Sequence, residues 1–431
     1  MSTQVIKQDF LDELKWRGQF NASTPNVEQL LNSQTVTGYI GFDPTSDSLH
    51  VGSLAQIITL MRFQRAGHKA IALVGGATGM IGDPSGKKEE RKLLSEEQVR
   101  YNAEKIGEQL NSIMSKNSNS KIELVNNIDW IKNLSLIDFL RDIGKRFTVN
   151  YMLAKDSVKS RLESEISFTE FTYQILQAYD FYWLFTHHNC QLQMGGSDQW
   201  GNITSGIELI RKMTGKEAHG ITTNLITKSD GSKFGKTESG NVWLDRKKTS
   251  PYKFYQFWLN VSDEDAKNYI KIFTFLNKEE IEELISKHTQ APHERILQKA
   301  LAKEVTTLVH SEEDYNDAVK ASEILFNGTI EELASLPEEL FKDIMEGVPV
   351  SHIKYSDIEN GIDVLEFLNT YTQVFPSKSE ARKMIQSNAV SINKQKITDT
   401  KLVITKDFAI NNKFILIQKG KKNYYLCYIE N

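Results

Sequence analysis

Four times in the first half of the chain, a short run of β-branched and apolar residues gives way to helical spacing. TGYIGF precedes a helix expected over about 50–66, and KAIALVGG precedes a glycine-rich loop and a helix from about Ser95. KIELVNN precedes a helix from about Ser135, and CQLQMGG precedes one over about 197–213. Strands alternating with helices predict parallel βαβ units. In open α/β sheets, ligands bind beyond the carboxyl ends of the strands, so the loops at those ends are the first place to look for chemistry. From Pro251 to about Phe326 the pattern turns helical with few glycines. Beyond it the spacing predicts a helix over about 377–386 and short strands around VSIN, KLVIT, FAI and KFILIQKG. There is no internal repeat and no low-complexity segment.

A chain of 431 residues suggests two or three domains. With 39% hydrophobic and 25% charged residues it has the balance of a globular protein, which argues against a disordered or fibrous one. No run of about 18 apolar residues occurs, so no membrane-spanning helix is expected. The opening MSTQVIKQDFLDELKWRG mixes acids and bases without an apolar core, so no secretory signal is expected. Cys190 and Cys427 are far apart, with neither metal-ligand spacing nor a disulfide framework, which favours a reducing, cytoplasmic setting.

Charge changes the picture near the carboxyl end. The net charge of −4 excludes a chain-wide polycation. Yet residues 361–431 carry 11 Lys+Arg against 6 Asp+Glu, a local +5. Residues 331–360 just before them carry 8 acids and 2 lysines. An acidic segment followed by a basic tail marks a domain boundary near 345–360. The tail is either a solvated basic surface or a small module that meets a phosphate backbone.

Five segments can carry chemistry. FDPTSDSLHVGS (42–53) runs from a strand end into a helix start, where free N–H groups and the helix dipole suit phosphate. There Thr45 and His50 can donate to phosphate oxygens, and Gly52 lets a flat ring approach the backbone. The alternative is an ordinary capped helix start. GGATGMIGDPSGK (75–87) lacks the P-loop spacing but lets its backbone approach a ligand, and its Asp83 can meet an ammonium group. The alternative is a surface turn.

In SFTEFTYQILQAYDFYWLF, Tyr173, Gln177 and Asp180 recur at i, i+4 and i+7 on one face of a helix that is apolar nearly all round. Such a helix should be buried, and a buried polar stripe must find partners. A polar small molecule would serve, with a charge-assisted hydrogen bond to Asp180. A stripe left in water is the alternative. GGSDQWGN (195–202) places Asp198 where it can accept from a ribose hydroxyl, by analogy with dinucleotide folds. KSDGSKFGKT (228–237) is a glycine-punctuated loop with three lysines, suited to neutralising a polyphosphate or simply solvated.

Taken together and in this order, the segments resemble the bacterial tyrosyl-tRNA synthetases, a family of class I aminoacyl-tRNA synthetases. FDPTSDSLHVGS resembles the HIGH signature and KFGKT the KMSKS signature, and the similarity covers almost the whole chain. The tail from SKSEARKMIQSNAVSINKQKI onward resembles the S-four-type RNA-binding module. The resemblance implies an α/β architecture: a Rossmann-like catalytic domain over 1–248, an α-helical anticodon-side domain over 249–345, an acidic linker over 346–360 and an α+β RNA-binding domain over 361–431.

It also implies a reaction, in which L-tyrosine and ATP form tyrosyl-adenylate and tyrosine then passes to the terminal adenosine of tRNA(Tyr). Tyr39 and Asp180 would meet the tyrosine hydroxyl. Tyr173, Gln177 and Asp83 would hold the ammonium, with Gln193 nearby. Thr45 and His50 would bind the leaving phosphates. Lys233, Lys236 and Thr237 would close over them as a mobile loop, joined by Lys87 and Arg91. Gly41, Asp43, Gly52, Ser53, Gly196, Asp198 and Gln199 would frame ATP. Mg²⁺ would accompany ATP, with no tightly bound metal or organic cofactor. The family is homodimeric, and the stretch near Phe168 resembles part of its dimer interface.

Two positions depart from the family pattern. Ser53 stands where the signature ends in histidine, so a hydroxyl replaces a group that can carry charge. Ile40 stands where many relatives carry a small polar or thiol residue, which puts one sugar contact in question. A tryptophan-specific relative shares the fold and the signatures, but indole offers only a donor N–H to the Tyr39–Asp180 pair. A non-catalytic RNA-binding paralogue draws support from Ser53 alone, against intact Asp180 and intact lysines in KFGKT.

Overall fold

The computed structural model describes residues 9–85, 93–116, 122–155, 158–159, 166–237, 240–346, 348–420 and 423–430. The chain divides into two units: residues up to Ser250 with Phe254–Ser311, and Pro251–Lys253 with Glu312–Asn431.

The first unit is built on a six-stranded sheet. Its strands are β1 (Phe20–Ser23), β2 (Thr37–Phe42), β3 (Lys69–Val74), β4 (Glu123–Asn126), β5 (Cys190–Gly196) and β6 (His219–Thr223). They lie in the order β1-β6-β5-β2-β3-β4. Only β1 is antiparallel, against β6; the other neighbours run parallel. From β2 the chain winds outward through β3 to β4, and then β5 and β6 are laid on the other side. The winding direction therefore reverses between β2 and β5, where an open α/β sheet forms its ligand crevice.

The crossovers follow the sequence pattern. Helix α1 (Val51–Arg65) is buried along most of its length, as its apolar composition requires. Helix α2 (Glu96–Met114) starts at Ser95, whose side chain accepts from the Gln98 N–H, with Glu96 and Glu97 facing the positive end of the dipole. Helix α3 (Phe168–His188) is capped by Ser167 and ends at Asn189, in the left-handed conformation with φ 51°. Helix α4 (Trp200–Thr214) follows a 3₁₀ turn at Ser197–Gln199. At Ser135 the expected helix starts but does not continue. Ser135 caps Leu136–Asp138, and the chain then passes into a π turn at Phe139–Ile143 and a 3₁₀ turn at Gly144–Arg146.

Helices α5 (Asp263–Phe273), α6 (Lys278–Gln290) and α7 (Ile296–Val309) belong to the first unit as well. Two buried arginines tie them in. Arg62 of α1 donates to the carbonyls of Lys271, Ile272 and Thr274 at 3.0, 2.9 and 2.7 Å. Arg17 donates to those of Lys271, Thr274 and Leu276 at 2.6, 3.2 and 2.8 Å. The last carbonyls of α5, which lack helical partners, thus end on guanidinium groups. The helical stretch expected as one domain over 249–345 is accordingly divided near Ser311.

The second unit carries a five-stranded sheet of β7 (Val350–Lys354), β8 (Val390–Ile392), β9 (Gln395–Lys396), β10 (Phe414–Lys419) and β11 (Asn423–Glu430), in the order β9-β8-β10-β11-β7. Helix α8 (Lys378–Gln386), capped by Ser377, packs through Ala381 and Ile385 into the same core. The segment expected as a linker over 346–360 instead supplies β7, paired in parallel with β11 from Val350↔Leu426 to Lys354↔Glu430. Its acids are exposed while Ile353 and Ile358 enter the core, so the charge run marks the solvent side of a structured segment. The strand expected at FAI is instead a 3₁₀ turn at Lys406–Phe408 followed by a single bridge from Ile410 to Phe414. No helix among the described residues is long and apolar enough to cross a membrane. Both cysteines are buried and free.

Candidate functional site

At the reversal point, β2 ends on Gly41, Phe42 and Asp43, β5 ends on Gly195 and Gly196, and α3 passes alongside. The stripe read from the α3 spacing is largely buried: Tyr173 and Asp180 fully, Gln177 partly. Each of the three meets polar partners. The Tyr173 hydroxyl donates to Asp43 Oδ2 at 2.7 Å, and Asp43 Oδ1 accepts from Thr78 Oγ1 at 2.7 Å. Gln177 donates to Gln199 Oε1 at 3.2 Å and accepts from Asn202 Nδ2 at 3.1 Å. Asp180 Oδ1 accepts from the Trp130 indole N–H at 2.8 Å, and Oδ2 accepts from Asn127 Nδ2 at 2.9 Å.

Asp180 is the most perturbed carboxyl of this group. Burial pushes it up to about 7, against the two donors that favour its charged form, and the nearby Asp43 charge adds to the rise. Opposite it, Tyr39 on β2 is 1% exposed, and its hydroxyl is raised by burial first and then by the Asp180 charge. The Tyr39 ring packs on Phe181 with centroids 5.5 Å apart. The Tyr39 hydroxyl and the Gln193 Oε1 are both buried without a hydrogen-bond partner. An unpaired buried polar atom costs about 1–3 kcal/mol, so these two atoms, on residues paired in register across β2 and β5, are candidate partners for a bound polar ligand.

Asp83 sits at the other end of the stripe. It is buried, with Oδ2 accepting from Gln199 Nε2 at 2.7 Å and Oδ1 from the Ser85 N–H at 2.9 Å. The structure therefore brings Tyr39, Asp43, Asp83, Tyr173, Gln177, Asp180, Gln193 and Gln199 around one crevice. The sequence reading missed Thr78, Asn127, Trp130 and Asn202, which hold these groups in place. Asn127 and Trp130 follow KIELVN, so their place at a strand end was the available signal. Their targets lie 50 or more residues away, which no local pattern encodes.

The two signature segments meet. His50 is the N-cap of α1, and its Nδ1 accepts from the Gly52 N–H at 3.0 Å. A Cβ on Gly52 would lie 2.7 Å from His50 Cε1, so a side chain at this position would collide with the imidazole as it stands. Gly235 of KFGKT lies against this turn with φ +79°; a Cβ there would stand 2.8 Å from Val51 Cγ2 and 3.7 Å from the Gly52 nitrogen. The following strand completes the junction: Val51 N–H donates to the Val242 carbonyl at 3.0 Å and Val242 N–H to the Gly235 carbonyl at 3.1 Å. Thr45 is exposed, as are Lys233 and Lys236, while Ser53 is half-buried in the first turn of α1. Gly41 is exposed at the end of β2, and Gly196 and Asp198 form the turn beyond β5. Thr237 continues the short strand Lys236–Thr237. Lys87 and Arg91 lie outside the described residues.

Comparisons with known proteins identify the family of the chain as a whole. A family model for class I tRNA synthetases (W and Y) matches residues 31–327, and one for the tyrosine–tRNA ligase SYY-like C-terminal domain matches 340–427. A tyrosine–tRNA ligase of Bacteroides thetaiotaomicron is 55% identical over 97% of this chain and 99% of its own. One of Flavobacterium johnsoniae is 54% identical over 97% and 99%. Among solved structures, a C-terminally truncated Aspergillus nidulans mitochondrial tyrosyl-tRNA synthetase shares 30% identity and a TM-score of 0.66, covering 74% of this chain and 94% of its own. A Plasmodium falciparum tryptophanyl-tRNA synthetase shares the fold alone, at 14% identity and a TM-score of 0.52. The chain belongs to the class I tRNA synthetases, within their tyrosine–tRNA ligase family.

Proposed function

We propose that the crevice between β2 and β5 activates L-tyrosine with ATP and that the chain then charges tRNA(Tyr). The observation that carries this reading is the pair of buried atoms without a hydrogen-bond partner on neighbouring strands, Tyr39 Oη, which feels the Asp180 charge, and Gln193 Oε1. Tyr39 and Asp180 take the substrate's phenolic hydroxyl. Tyr173, Gln177 and Asp83 take its ammonium at the far end of the stripe, with Gln193 nearby. That end already carries the carboxylate of Asp83 and the amide oxygen of Gln177, acceptors suited to an ammonium group.

ATP enters as its magnesium complex, and none of the residues assigned here is a ligand of the ion. Gly41, Asp43, Gly52, Ser53, Gly196, Asp198 and Gln199 frame the nucleotide, and Thr45 and His50 face its phosphates. The tyrosine carboxylate oxygen attacks the α-phosphorus. The bond from that phosphorus to the bridging oxygen breaks, and pyrophosphate leaves with the electron pair. Lys233 and Lys236, with Lys87 and Arg91, neutralise the charge that builds on the leaving group, and Thr237 closes over it as part of the same loop. No covalent enzyme intermediate is needed, and positioning and electrostatic stabilisation supply most of the rate. A terminal ribose hydroxyl of tRNA then attacks the adenylate carbonyl, loses its proton and releases AMP.

The test is ATP–pyrophosphate exchange without tRNA, run with tyrosine, phenylalanine and tryptophan in turn. Exchange with tyrosine alone is expected. Exchange with tryptophan would reassign the pocket, and exchange with none would point to an RNA-binding paralogue.

The reading extends to partners. Residues 361–431, with a local charge of +5, contact the tRNA backbone. Binding of tRNA(Tyr) is therefore expected to weaken steeply with salt while adenylate formation changes little; equal salt slopes for the two steps would refute this. The active form is a cytoplasmic homodimer. Support comes from exposed apolar side chains on 136–149 and at the start of α3: Leu136 at 70%, Val149 at 61% and Phe168 at 78% exposed. Sedimentation of a Phe168→Asp variant is expected to show monomers.

A further inference from the structure

The lysines of the signature loop are exposed, yet the loop itself is held, and what holds it is α5. The loop base is tied by two polar contacts. Asp265, 6% exposed in the first turn of α5, accepts from the Ser229 N–H through Oδ1 at 2.8 Å and from Ser262 Oγ through Oδ2 at 2.8 Å. One turn later, the Tyr269 hydroxyl donates to the Thr227 carbonyl at 3.1 Å. Of the two residues between the signature lysines, Phe234 is tied by packing. The Phe234 ring sits among Tyr269, Phe273, Trp258 and Phe257, with centroids 4.9, 5.2, 5.8 and 5.9 Å away.

The same helix is fixed to the opposite signature. Its carboxyl end is gripped by Arg62 of α1, and α1 begins with the His50–Ser53 turn. So α1 and α5 form one frame: one helix presents HVGS, the other carries KFGKT, and Gly235 touches the turn at Val51.

We propose that Asp265, Tyr269 and Phe234 are positioning residues for adenylate formation, setting where Lys233 and Lys236 stand relative to the His50 turn. The inference rests on the reading of those lysines given above. A long flexible lysine neutralises a developing charge only if its backbone is in register, and a displacement of about 1 Å can cost about a hundredfold in rate.

The experiment is single-turnover formation of tyrosyl-adenylate by the full chain. Tyrosine affinity is measured by equilibrium binding, and the fold by thermal melting, in the same preparations. Phe234→Ala and Asp265→Ala are expected to lower the adenylation rate constant about tenfold or more, with tyrosine affinity within about twofold of the wild type. Asp265→Asn keeps an acceptor for the Ser229 N–H and is expected to restore most of the rate. Tyr269→Phe removes only the hydroxyl and is expected to fall between. A rate within twofold of wild type in both alanine variants would overturn the proposal. So would a parallel loss of tyrosine affinity, or an Asp265→Asn variant no better than Asp265→Ala. Lys236→Ala separates the two levels of argument. If it too leaves the rate unchanged, the assignment of the loop lysines has failed; if it alone is slow, only the positioning role has.

Discussion

The floor of the crevice and its rim are built on opposite principles. At the floor, Asp180 has a partner on each oxygen, and those partners are themselves fixed: Asn127 accepts from the Ala77 N–H at 2.7 Å, and Trp130 stacks on Trp183 at 4.1 Å. At the rim, the Lys233 and Lys236 side chains are exposed, and the loop is anchored through the Phe234 ring and the backbone. The difference follows from what each region meets. A neutral hydroxyl is distinguished from a hydrogen atom only where water is excluded and the acceptors are already in place. A departing polyphosphate carries charge that grows during the reaction, which strongly hydrated, flexible cations can follow. Recognition is prebuilt at the floor, and stabilisation is delivered at the rim.

Two substitutions test that division. Lys236→Ala should lower the adenylation rate by about 10²–10³, the cost of losing one donor aimed at developing charge, and leave tyrosine affinity unchanged. Single-turnover kinetics beside equilibrium tyrosine binding would read both; a fall in affinity would erase the distinction between rim and floor. Asp180→Ala should act the other way. It leaves the Trp130 and Asn127 donors unpaired, at about 1–3 kcal/mol each, and removes the acceptor offered to the substrate hydroxyl. Tyrosine affinity should fall about a hundredfold, taking about 1.4 kcal/mol per factor of ten, with a lower melting temperature. Unchanged affinity would mean that the phenolic hydroxyl binds elsewhere.

The floor was legible in the sequence only in part. The spacing of Tyr173, Gln177 and Asp180 on an apolar helix gave a buried polar stripe, because helical periodicity is a local property. The partners of that stripe were not visible. Asn127 reaches Asp180 across 53 positions, and Gln199 reaches Asp83 across 116, distances set by crossover topology. The βαβ order was readable from strand and helix patterns, whereas the neighbour order β5-β2 was not, since it depends on which side of the sheet the chain takes after β4. At the rim, KFGKT was visible as a loop, but its anchoring by α5 came from aromatic packing with Phe273, 39 positions on. The acidic stretch at 346–360 misled for a related reason: its acids, Glu346, Asp357 and Glu359, are exposed on either side of β7, and charge composition is silent about the buried Ile353 and Ile358 between them.

The smallest effect concerns the proton on Asp180. With its carboxyl pushed up to about 7 by burial, the folded chain holds a proton that the unfolded chain has released, over the window from about pH 4 to about pH 7. Stability rises with pH only where the unfolded state binds more protons. Here it binds fewer, so this group lowers stability as pH increases through the window, by at most about 1.36 kcal/mol per pH unit. Above about pH 7 both states are ionised and the contribution is constant. Asp180→Asn has no such proton. The melting temperature of the variant minus that of the wild type should therefore climb from pH 4 to pH 7 and level off above it. Lys236→Ala supplies the rim control, because it removes an exposed side chain far from this carboxyl's burial. A flat difference for Asp180→Asn over the same range would mean that Asn127 and Trp130 hold the carboxylate ionised throughout. The floor would then greet the substrate hydroxyl as a charged acceptor even in mild acid.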